Sequence, residues 1–453
     1  MKNNRFLIIG LALLTSLVNA NARNDPHNAF IIFTPEITAK ENTIKIAIKD
    51  NIDLAGYPTT AGSLAMVNNI AANDAFIVKQ LKNSNYYIQG KTNLSEWANF
   101  RSEKSISGWS SYGGQTINTM GDNLNPCGSS SGSAVAVADG IVDISVGTET
   151  NGSISCPASV NGIVGFKPTV GLLSRSGIIP ISPTQDTAGP MGRSVLSVAR
   201  ALEAMAGKDI NDDATYLVPK NFNYDFTSDL AKNGIAGKRL GLLTSGKDDE
   251  DADELLKRIA SLVNTLDGTV VQIEDNRTYP AAEEYFLLLY EFKESLESYL
   301  SNSASELKTI KSLIQFHNEN AGLMMPYFQQ EIFYKAQATA GKEDEYKKSL
   351  EMVSKVKKEF NELLDKYNLD GFVGLTRNPA WKIDNAGGDN AAMKNQKSFG
   401  NGAYAAIAGN PHITIPLAQI NGLPVGISIM GPAWSDGLIL QMAYDLELNK
   451  SSF

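Results

Sequence analysis

Short β-branched runs alternate with small-residue helical segments between Thr43 and about Met205. Four of the runs have the composition of strands: TIKIAIKD, YYIQGKT, IVDISVGTET and GIVGFKPT. Two other segments, DAFIVKQL and SGSAVAVADG, have the composition of helices. Strands that are separated by helices indicate a sheet that is buried beneath them. This part of the chain therefore predicts an α/β fold around a largely buried sheet.

The pattern changes after about Lys247. Three charged segments there have apolar residues at the three- and four-residue spacing of amphipathic helices: DDEDADELLKRIASLVNTL, AAEEYFLLLYEFKESLESYL and KEDEYKKSLEMVSKVKKEFNELLDKY. No heptad continues across them, which disfavours a coiled coil. Strand character returns in LDGFVGLT, HITIPLAQI and LPVGISIMG, with an NG turn between the last two. This order predicts a single domain, 23–453, with a helical insertion at about 248–366.

The first residues have the three parts of a secretory signal peptide. The basic start MKNNR is followed by the apolar run FLIIGLALLTSLV and by an Ala-x-Ala pattern that ends at Ala22. The apolar run is shorter than the ~20 residues that a membrane-spanning helix needs. We therefore expect a cleaved signal peptide at 1–22, a periplasmic or secreted protein, and no membrane association after cleavage.

Composition argues against several partners and cofactors. The chain carries 40 Lys and Arg against 49 Asp and Glu, a net charge of -9, whereas proteins that bind nucleic acid have a basic excess. We therefore expect no nucleic-acid partner. The histidines and cysteines lack metal-ligand spacing, so we also expect no metal and no cofactor. Cys127 and Cys156 are expected to be buried free thiols, because a chain of this size does not require a disulfide, with a disulfide, which export would permit, as the alternative.

The segment PCGSSSGSAVAVADG, 126–140, places very small residues around three serines. A flexible linker is disfavoured because the segment continues directly into an apolar run. A phosphate-binding loop is excluded because the Gly-Lys-Thr sequence at 90–92 lacks the first glycine of that motif. A G-x-S-x-G nucleophile elbow would make Ser130 the nucleophile, but it needs a later acid and histidine, and none of the three histidines has a suitable context. That interpretation is the weaker alternative.

A further interpretation combines three separate loops. Ser153 lies in a second turn of small residues, VGTETNGSISCPAS, and Lys49 ends the strand in IAIKDN. Two serines and a lysine at strand ends can form a nucleophile system without histidine, provided that burial keeps the lysine neutral. Ser129, Ser153 and Lys49 are therefore the candidate site.

The chain resembles amidase-signature enzymes from about Asn28 to its C-terminal helix. The segment from PCGSSSGSAVAVADG to SPTQDTAGPMGRSV resembles the defining block of that family, and GKTNLSEWANF, GSLAMVNN and GLPVGISIMGPAW resemble its flanking segments. Within the family, GTETNGSI and SRSGIIPISPTQDTAGPM are most similar to bacterial peptide amidases, which remove a C-terminal carboxamide from peptides. The resemblance implies a central mixed β-sheet with helices on both faces and a helical insertion.

The resemblance also implies roles for individual residues. Ser153 matches the nucleophile, Ser129 matches a bridging serine whose peptide bond to Gly128 is cis, and Lys49 matches the base. The backbone N–H groups of four consecutive residues match the oxyanion hole: Thr150, Asn151, Gly152 and Ser153. Supporting positions are matched by Ser130, Thr148, Asp186 and Arg193. Asn151 stands where many family members have glycine.

The predicted reaction is hydrolysis of a carboxamide C–N bond with release of ammonia, through an acyl-enzyme on Ser153. The predicted substrates are peptide C-terminal amides or small amides. Two alternatives are a homologue of a glutaminase-type amidotransferase subunit, which has the same fold, and a periplasmic solute-binding protein, which belongs to another class. The segment before Lys49 is too short for the long helix usual in the family, so an apolar flank of the sheet is either covered in another way, for example in a homo-oligomer, or left exposed in a less stable protein.

Overall fold

The computed structural model describes residues 25–35, 43–230, 233–243, 249–273, 277–396, 400 and 402–453. The predicted signal peptide at 1–22 lies outside these residues, so export remains a prediction. None of the helices within the described ranges is long and apolar enough to cross a bilayer.

The described ranges contain thirteen strands. They are β1 (Phe30–Phe33), β2 (Ile44–Lys49), β3 (Tyr86–Thr92), β4 (Trp109–Ser110), β5 (Gly114–Gln115), β6 (Ile144–Glu149), β7 (Val164–Lys167), β8 (Thr187–Gly192), β9 (Arg239–Leu243), β10 (Thr269–Ile273), β11 (Gly371–Leu375), β12 (His412–Ile420) and β13 (Leu423–Met430). Eleven of them form one sheet in the order β1-β3-β2-β6-β8-β7-β12-β13-β11-β9-β10, while β4 and β5 pair separately.

The same ranges contain thirteen α-helices. They are α1 (Phe76–Asn83), α2 (Ser131–Ala138), α3 (Ser155–Val160), α4 (Val195–Met205), α5 (Glu250–Thr265), α6 (Ala281–Asn302), α7 (Ile310–Glu319), α8 (Ala321–Met324), α9 (Glu331–Gln337), α10 (Glu343–Tyr367), α11 (Gly388–Ala392), α12 (Gly402–Ile407) and α13 (Asp436–Leu448). Every strand and helix that the sequence predicted is present.

The sheet is mixed and is covered on both faces. Strand β2 runs parallel to β3 and β6, and β9 runs parallel to β10 and β11, whereas the other pairs are antiparallel. Ile46 and Ile48 pack into an apolar cluster with α1, α4 and α13, and the intervening Ala47 packs into a second cluster with α2 and α3. Successive strand residues face opposite sides of a sheet. The predicted α/β fold is therefore confirmed.

The segment predicted as a helical insertion, 248–366, also contains a strand of the sheet. Helix α5 connects β9 to the parallel strand β10, and parallel neighbours require such a crossover. Helices α6, α7 and α9 instead pack together around Phe292 and Phe333 in a separate apolar cluster. The part of this segment that stands apart from the sheet is therefore the one that follows β10.

The N-terminal flank of the sheet, at β1, β2 and β3, is covered in this structure. Strand β1 pairs antiparallel with β3 at the sheet edge, and Phe30 and Ile31 are buried. Within the described ranges, no large apolar side chain of β1, β2 or β3 is exposed. Of the outcomes that the sequence left open, the structure thus shows a covered flank, with the short strand β1 at the sheet edge. The homo-oligomer remains a prediction.

The predicted NG turn joins β12 and β13, and a substitution at Gly422 can test the geometry of that turn. Asn421 and Gly422 both have positive φ, 52° and 78°, as a two-residue type I′ hairpin requires. A Cβ on Gly422 would meet no atom within 4 Å, so only backbone strain opposes a side chain there. We expect Gly422→Ala to lower the free energy of unfolding by about 1 kcal/mol, measured by urea denaturation.

Gly322→Ala is the matched control. A Cβ there also meets no atom within 4 Å, but Gly322 lies in α8, where alanine is preferred. This variant should keep or slightly raise the free energy of unfolding. Equal losses in the two variants would contradict the assigned turn.

Candidate active site

The carboxyl ends of the parallel strands β2 and β6 lie side by side. Lys49 is the last residue of β2, and Glu149 is the last residue of β6. Ser129 and Ser130 immediately precede α2, which packs against both strands. In open α/β sheets, ligands bind beyond the carboxyl ends of the strands. The fold therefore places the candidate residues where such a site is expected.

Lys49 is fully buried, and its amine is surrounded by oxygen atoms. Its Nζ lies 2.7 Å from Ser129 Oγ, 3.1 Å from Ser130 Oγ and 2.8 Å from Thr148 Oγ1. Burial removes the hydration that stabilises the charged form, and it lowers the pKa of Lys49 to about 7, although nearby Asp186 and Glu149 oppose that shift. A substantial fraction of the amine is therefore neutral near pH 7.

The two candidate serines line the same cavity. The Gly128–Ser129 peptide bond is cis, as the family resemblance implied. The Ser130 N–H donates to the carbonyl oxygen of Ser153 at 3.1 Å, so the serine loop is bonded directly to the turn at 150–153. Ser129 and Ser153 both line a cavity of about 860 Å³. Ser129 is fully buried, whereas Ser153 is only half-buried and is therefore the more accessible hydroxyl.

The 150–153 turn presents unpaired backbone donors. Within the described ranges, the N–H groups of Asn151, Gly152 and Ser153 donate no hydrogen bond to the protein. Gly152 has a φ of 86°, and a Cβ on it would meet no atom within 4 Å. The Glu149 carboxylate accepts the next two N–H groups along the chain, at 2.7 and 2.9 Å. The free donors are therefore confined to the turn.

Two supporting residues, Ser130 and Thr148, lie where they were predicted. Ser130 Oγ donates to the carbonyl oxygen of Thr148 at 3.0 Å and accepts its N–H at 3.2 Å. Asn51, which the sequence reasoning missed, donates from Nδ2 to Thr148 Oγ1 at 3.0 Å. These bonds fix the oxygen atoms around Lys49. Asn51 follows Lys49 by two residues in KDN, and that polar run was the available signal.

Asp186 is the third supporting residue that the structure brings to the site. It accepts the Thr150 hydroxyl at 2.6 Å and the backbone N–H groups of Ile181 and Ser182 at 2.7 and 2.8 Å. Burial raises the pKa of this carboxyl, while these hydrogen bonds act in the opposite direction. Asp186 thus ties the turn to the loop that precedes β8.

Arg193 does not belong to the site. It follows β8 at the end opposite to Asp186, and its Nε donates to the carbonyl oxygen of Val137 at the end of α2. The prediction that Arg193 supports the turn is wrong. An extended strand advances about 3.3 Å per residue, so β8 carries the guanidinium to the far edge of the sheet.

The histidines do not support a nucleophile elbow at Ser130. Their hydrogen-bond partners are Asp139 for His27, Gln330 for His317 and Ser428 for His412. Burial lowers the pKa of His412 to about 4. Among the residues that the structure describes, no group of three or more His, Cys, Asp or Glu side chains is arranged to hold a metal ion. Lys49, rather than a histidine, is the basic group at the serines.

Two further residues at the turn come from the segment between β10 and α6 and from the first turn of α6. Asn151 Nδ2 lies 2.8 Å from the Tyr279 hydroxyl and 2.8 Å from Glu284 Oε1. Glu284 also accepts from Gln185 Nε2 at 2.9 Å. The sequence pattern did not indicate Tyr279, Glu284 or Gln185 as site residues. The first two lie about 130 positions from Asn151, and their segment has only the general pattern of an amphipathic helix.

Cys127 and Cys156 form a disulfide, so the prediction of free thiols is wrong. Cys127 precedes Ser129 by two residues, and Cys156 follows Ser153 by three. Because the serine loop and the turn lie side by side, the two Cα atoms are 6.0 Å apart, a normal separation for a disulfide.

Removing the disulfide should destabilise the fold. The bridge spans 29 positions of sequence, for which loop entropy gives a stabilisation of about 3.5 kcal/mol. We expect the Cys127→Ala/Cys156→Ala double variant to lose up to about that amount of unfolding free energy in urea denaturation. Adding dithiothreitol should destabilise the wild type but not the variant. A wild type that is insensitive to the reductant after confirmed thiol release would contradict the expectation.

The family model for amidases matches residues 42–440. With the mixed α/β fold and the Lys–Ser–Ser arrangement, this match shows that the chain belongs to the amidase-signature family. The protein is an amidase, an enzyme that hydrolyses C–N bonds. The alternative of a solute-binding protein is therefore wrong.

Three relatives illustrate the similarity. A probable amidase of Arabidopsis thaliana is 35% identical over 415 residues, covering 89% of this chain and 76% of that protein. A glutamyl-tRNA(Gln) amidotransferase subunit from Staphylococcus saprophyticus is 30% identical over 421 residues, covering 89% of this chain and 82% of that protein. The X-ray structure of native peptide amidase from Stenotrophomonas maltophilia has a TM-score of 0.89 at 39% identity, covering 97% of this chain and 92% of that one.

Proposed function

We propose that this amidase removes the C-terminal carboxamide of peptides, with release of ammonia, through an acyl-enzyme on Ser153. The observation that carries the proposal is the fully buried Lys49 amine, 2.7 Å from Ser129 Oγ, at a cavity that Ser153 also lines. Similarity to the S. maltophilia peptide amidase supports the substrate class.

In the proposed reaction, the neutral amine of Lys49 takes the proton of Ser129 while Ser129 takes the proton of Ser153. Ser153 Oγ then bonds to the carbonyl carbon of the amide. The developing negative charge on the carbonyl oxygen is stabilised by the free N–H groups of the 150–153 turn. The C–N bond breaks as nitrogen receives a proton back through Ser129, and ammonia leaves. Water then attacks the acyl carbon and gives a proton through Ser129 to Lys49; the bond from carbon to Ser153 Oγ breaks, that oxygen takes the proton back, and the peptide acid leaves.

The cavity favours a peptide-sized acyl group without negative charge. Its volume of about 860 Å³ lies within the range of sites that hold drug-sized ligands. Its lining carries five carboxylates and two cationic side chains: Asp53, Asp74, Asp186, Asp209, Asp212, Lys79 and Arg175. Asp212 pairs with Arg175 and Asp74 pairs with Lys82, so the excess consists of the other three carboxylates against Lys79. An acidic acyl group would be repelled by this excess, whereas neutral and basic groups would not.

The first test is ammonia release from a panel of amides. We expect turnover of amidated di- and tripeptides, with Ala- and Lys-containing substrates preferred over Glu-containing ones. Ser153→Ala should lose at least about 1000-fold in kcat because it lacks the attacking oxygen. Ser301→Ala is the control, because Ser301 is an exposed residue of α6 whose hydroxyl donates to the Ser298 carbonyl oxygen of the same helix, and its kcat should equal that of the wild type.

Each result of this panel decides between named alternatives. Wild-type turnover in Ser153→Ala would overturn the assigned nucleophile. Release of ammonia from glutamine but from no peptide amide would favour the glutaminase-type activity that the amidotransferase similarity keeps as the second candidate.

The second test is the pH dependence of kcat/KM on one peptide amide. Lys49 acts as a base only when neutral, and its pKa is about 7. The rate should therefore rise with pH, reach half its maximum near pH 7, and level off above it. A rate that stays constant between pH 6 and pH 8 would contradict Lys49 as the base.

A further inference from the structure

The 150–153 turn needs support from outside its own backbone. Its N–H groups donate no hydrogen bond to the described protein, and they must stay free if they are to bind a substrate oxygen. Backbone donors normally fix a turn by pairing with the chain itself. The position of this turn therefore depends on its side chains and carbonyl oxygens.

Glu284 on α6 supplies part of that support, beside Asp186 at Thr150 and the Ser130 N–H at the Ser153 carbonyl oxygen. It is 7% exposed, and its Oε1 accepts from Asn151 Nδ2 at 2.8 Å and from Gln185 Nε2 at 2.9 Å. Its Oε2 accepts the Tyr279 hydroxyl at 2.6 Å. Gln185 Nε2 also lies 3.3 Å from the carbonyl oxygen of Thr150. One carboxylate thus reaches the turn directly at Asn151 and, through Gln185, at Thr150.

The hydrogen bonds to the Glu284 carboxylate are stronger than hydrogen bonds between neutral groups. Among the residues that the structure describes, no Lys, Arg or His forms an ion pair with Glu284, so hydrogen-bond donors alone compensate its charge. Hydrogen bonds to a buried carboxylate are about twice as strong as neutral ones. Burial, and then the neighbouring Glu284 charge, raise the pKa of Tyr279, so its hydroxyl remains a donor. The cluster therefore gives Asn151 a single well-defined orientation.

On the basis of the proposed function, we infer that Glu284 is a positioning residue: it holds the 150–153 turn, through the Asn151 side chain, in the geometry that stabilises the oxyanion. The developing charge exists in the transition state and not in the bound amide. Loss of this positioning should therefore reduce kcat more than it changes KM. Asparagine at 151 has a function in this arrangement, because glycine could not reach Glu284.

The test compares Glu284→Ala and Glu284→Gln on one peptide amide, in the full-length protein. We expect Glu284→Ala to lower kcat about 10- to 100-fold with KM changed less than about 3-fold. Glu284→Gln should recover part of kcat, because its amide oxygen can still accept from Asn151. A peptide aldehyde with the same acyl group forms a tetrahedral adduct with a serine hydroxyl, and its Ki should rise in Glu284→Ala by a factor similar to the loss in kcat.

A double-mutant cycle tests the link through Asn151. Asn151→Ala removes the side chain but keeps the backbone N–H, so it should reproduce most of the loss in kcat. The Asn151→Ala/Glu284→Ala double variant should lose little more than either single variant. Glu294→Ala, an exposed position on the same helix, is the matched control and should retain wild-type kcat.

The outcomes separate this inference from the proposed function. Unchanged kcat and aldehyde Ki in both Glu284 variants and in Asn151→Ala would overturn the inference while leaving Ser153 as the nucleophile. A loss that follows only the folded fraction, or that appears only in KM, would also overturn it, because it would show a purely structural role. Absence of amide hydrolysis in the wild type would instead overturn the proposed function.

Discussion

The short contact between the buried Lys49 amine and the Ser129 hydroxyl is the interaction on which the site depends. A lysine in water is charged and cannot accept a proton, whereas burial lowers the pKa of Lys49 to about 7. The fold creates this environment because Lys49 ends an interior strand of the sheet, β2, and α2 packs against that strand. The candidate chemistry is therefore a consequence of burial at the carboxyl ends of parallel strands.

Two kinds of polar group surround the contact between Lys49 and Ser129: hydrogen-bonded side chains and free backbone N–H groups. Thr148, Ser130 and Asn51 Nδ2 form hydrogen bonds that fix the oxygen atoms near Lys49. The 150–153 turn instead keeps its backbone donors free. Free donors suit a site that must bind a developing charge, but they give the turn no internal support. Side chains at the edges of the turn supply it.

That support comes from distant parts of the chain. Asp186 reaches Thr150 from the loop before β8, and Glu284 reaches Asn151 from the insertion. The disulfide between Cys127 and Cys156 joins the serine loop to the segment that follows Ser153. Helix α6 also lines the cavity with Ser295, Ser298 and Tyr299. The insertion thus contributes to the substrate cavity and, through Glu284, to the turn.

The sequence by itself determined the α/β fold, seven of the described strands, five of the described helices and the hairpin turn at 421–422, and it singled out Lys49, Ser129 and Ser153 as the candidate site. Local composition and motif spacing carry that information, because strand and turn preferences act over a few residues. Only the tertiary structure decided that the cysteines are paired, that Arg193 lies at the far edge of the sheet, and that Glu284 meets Asn151. Those contacts depend on where segments 29 or 133 positions apart, or the two ends of one strand, come to lie in space, and no local pattern encodes that.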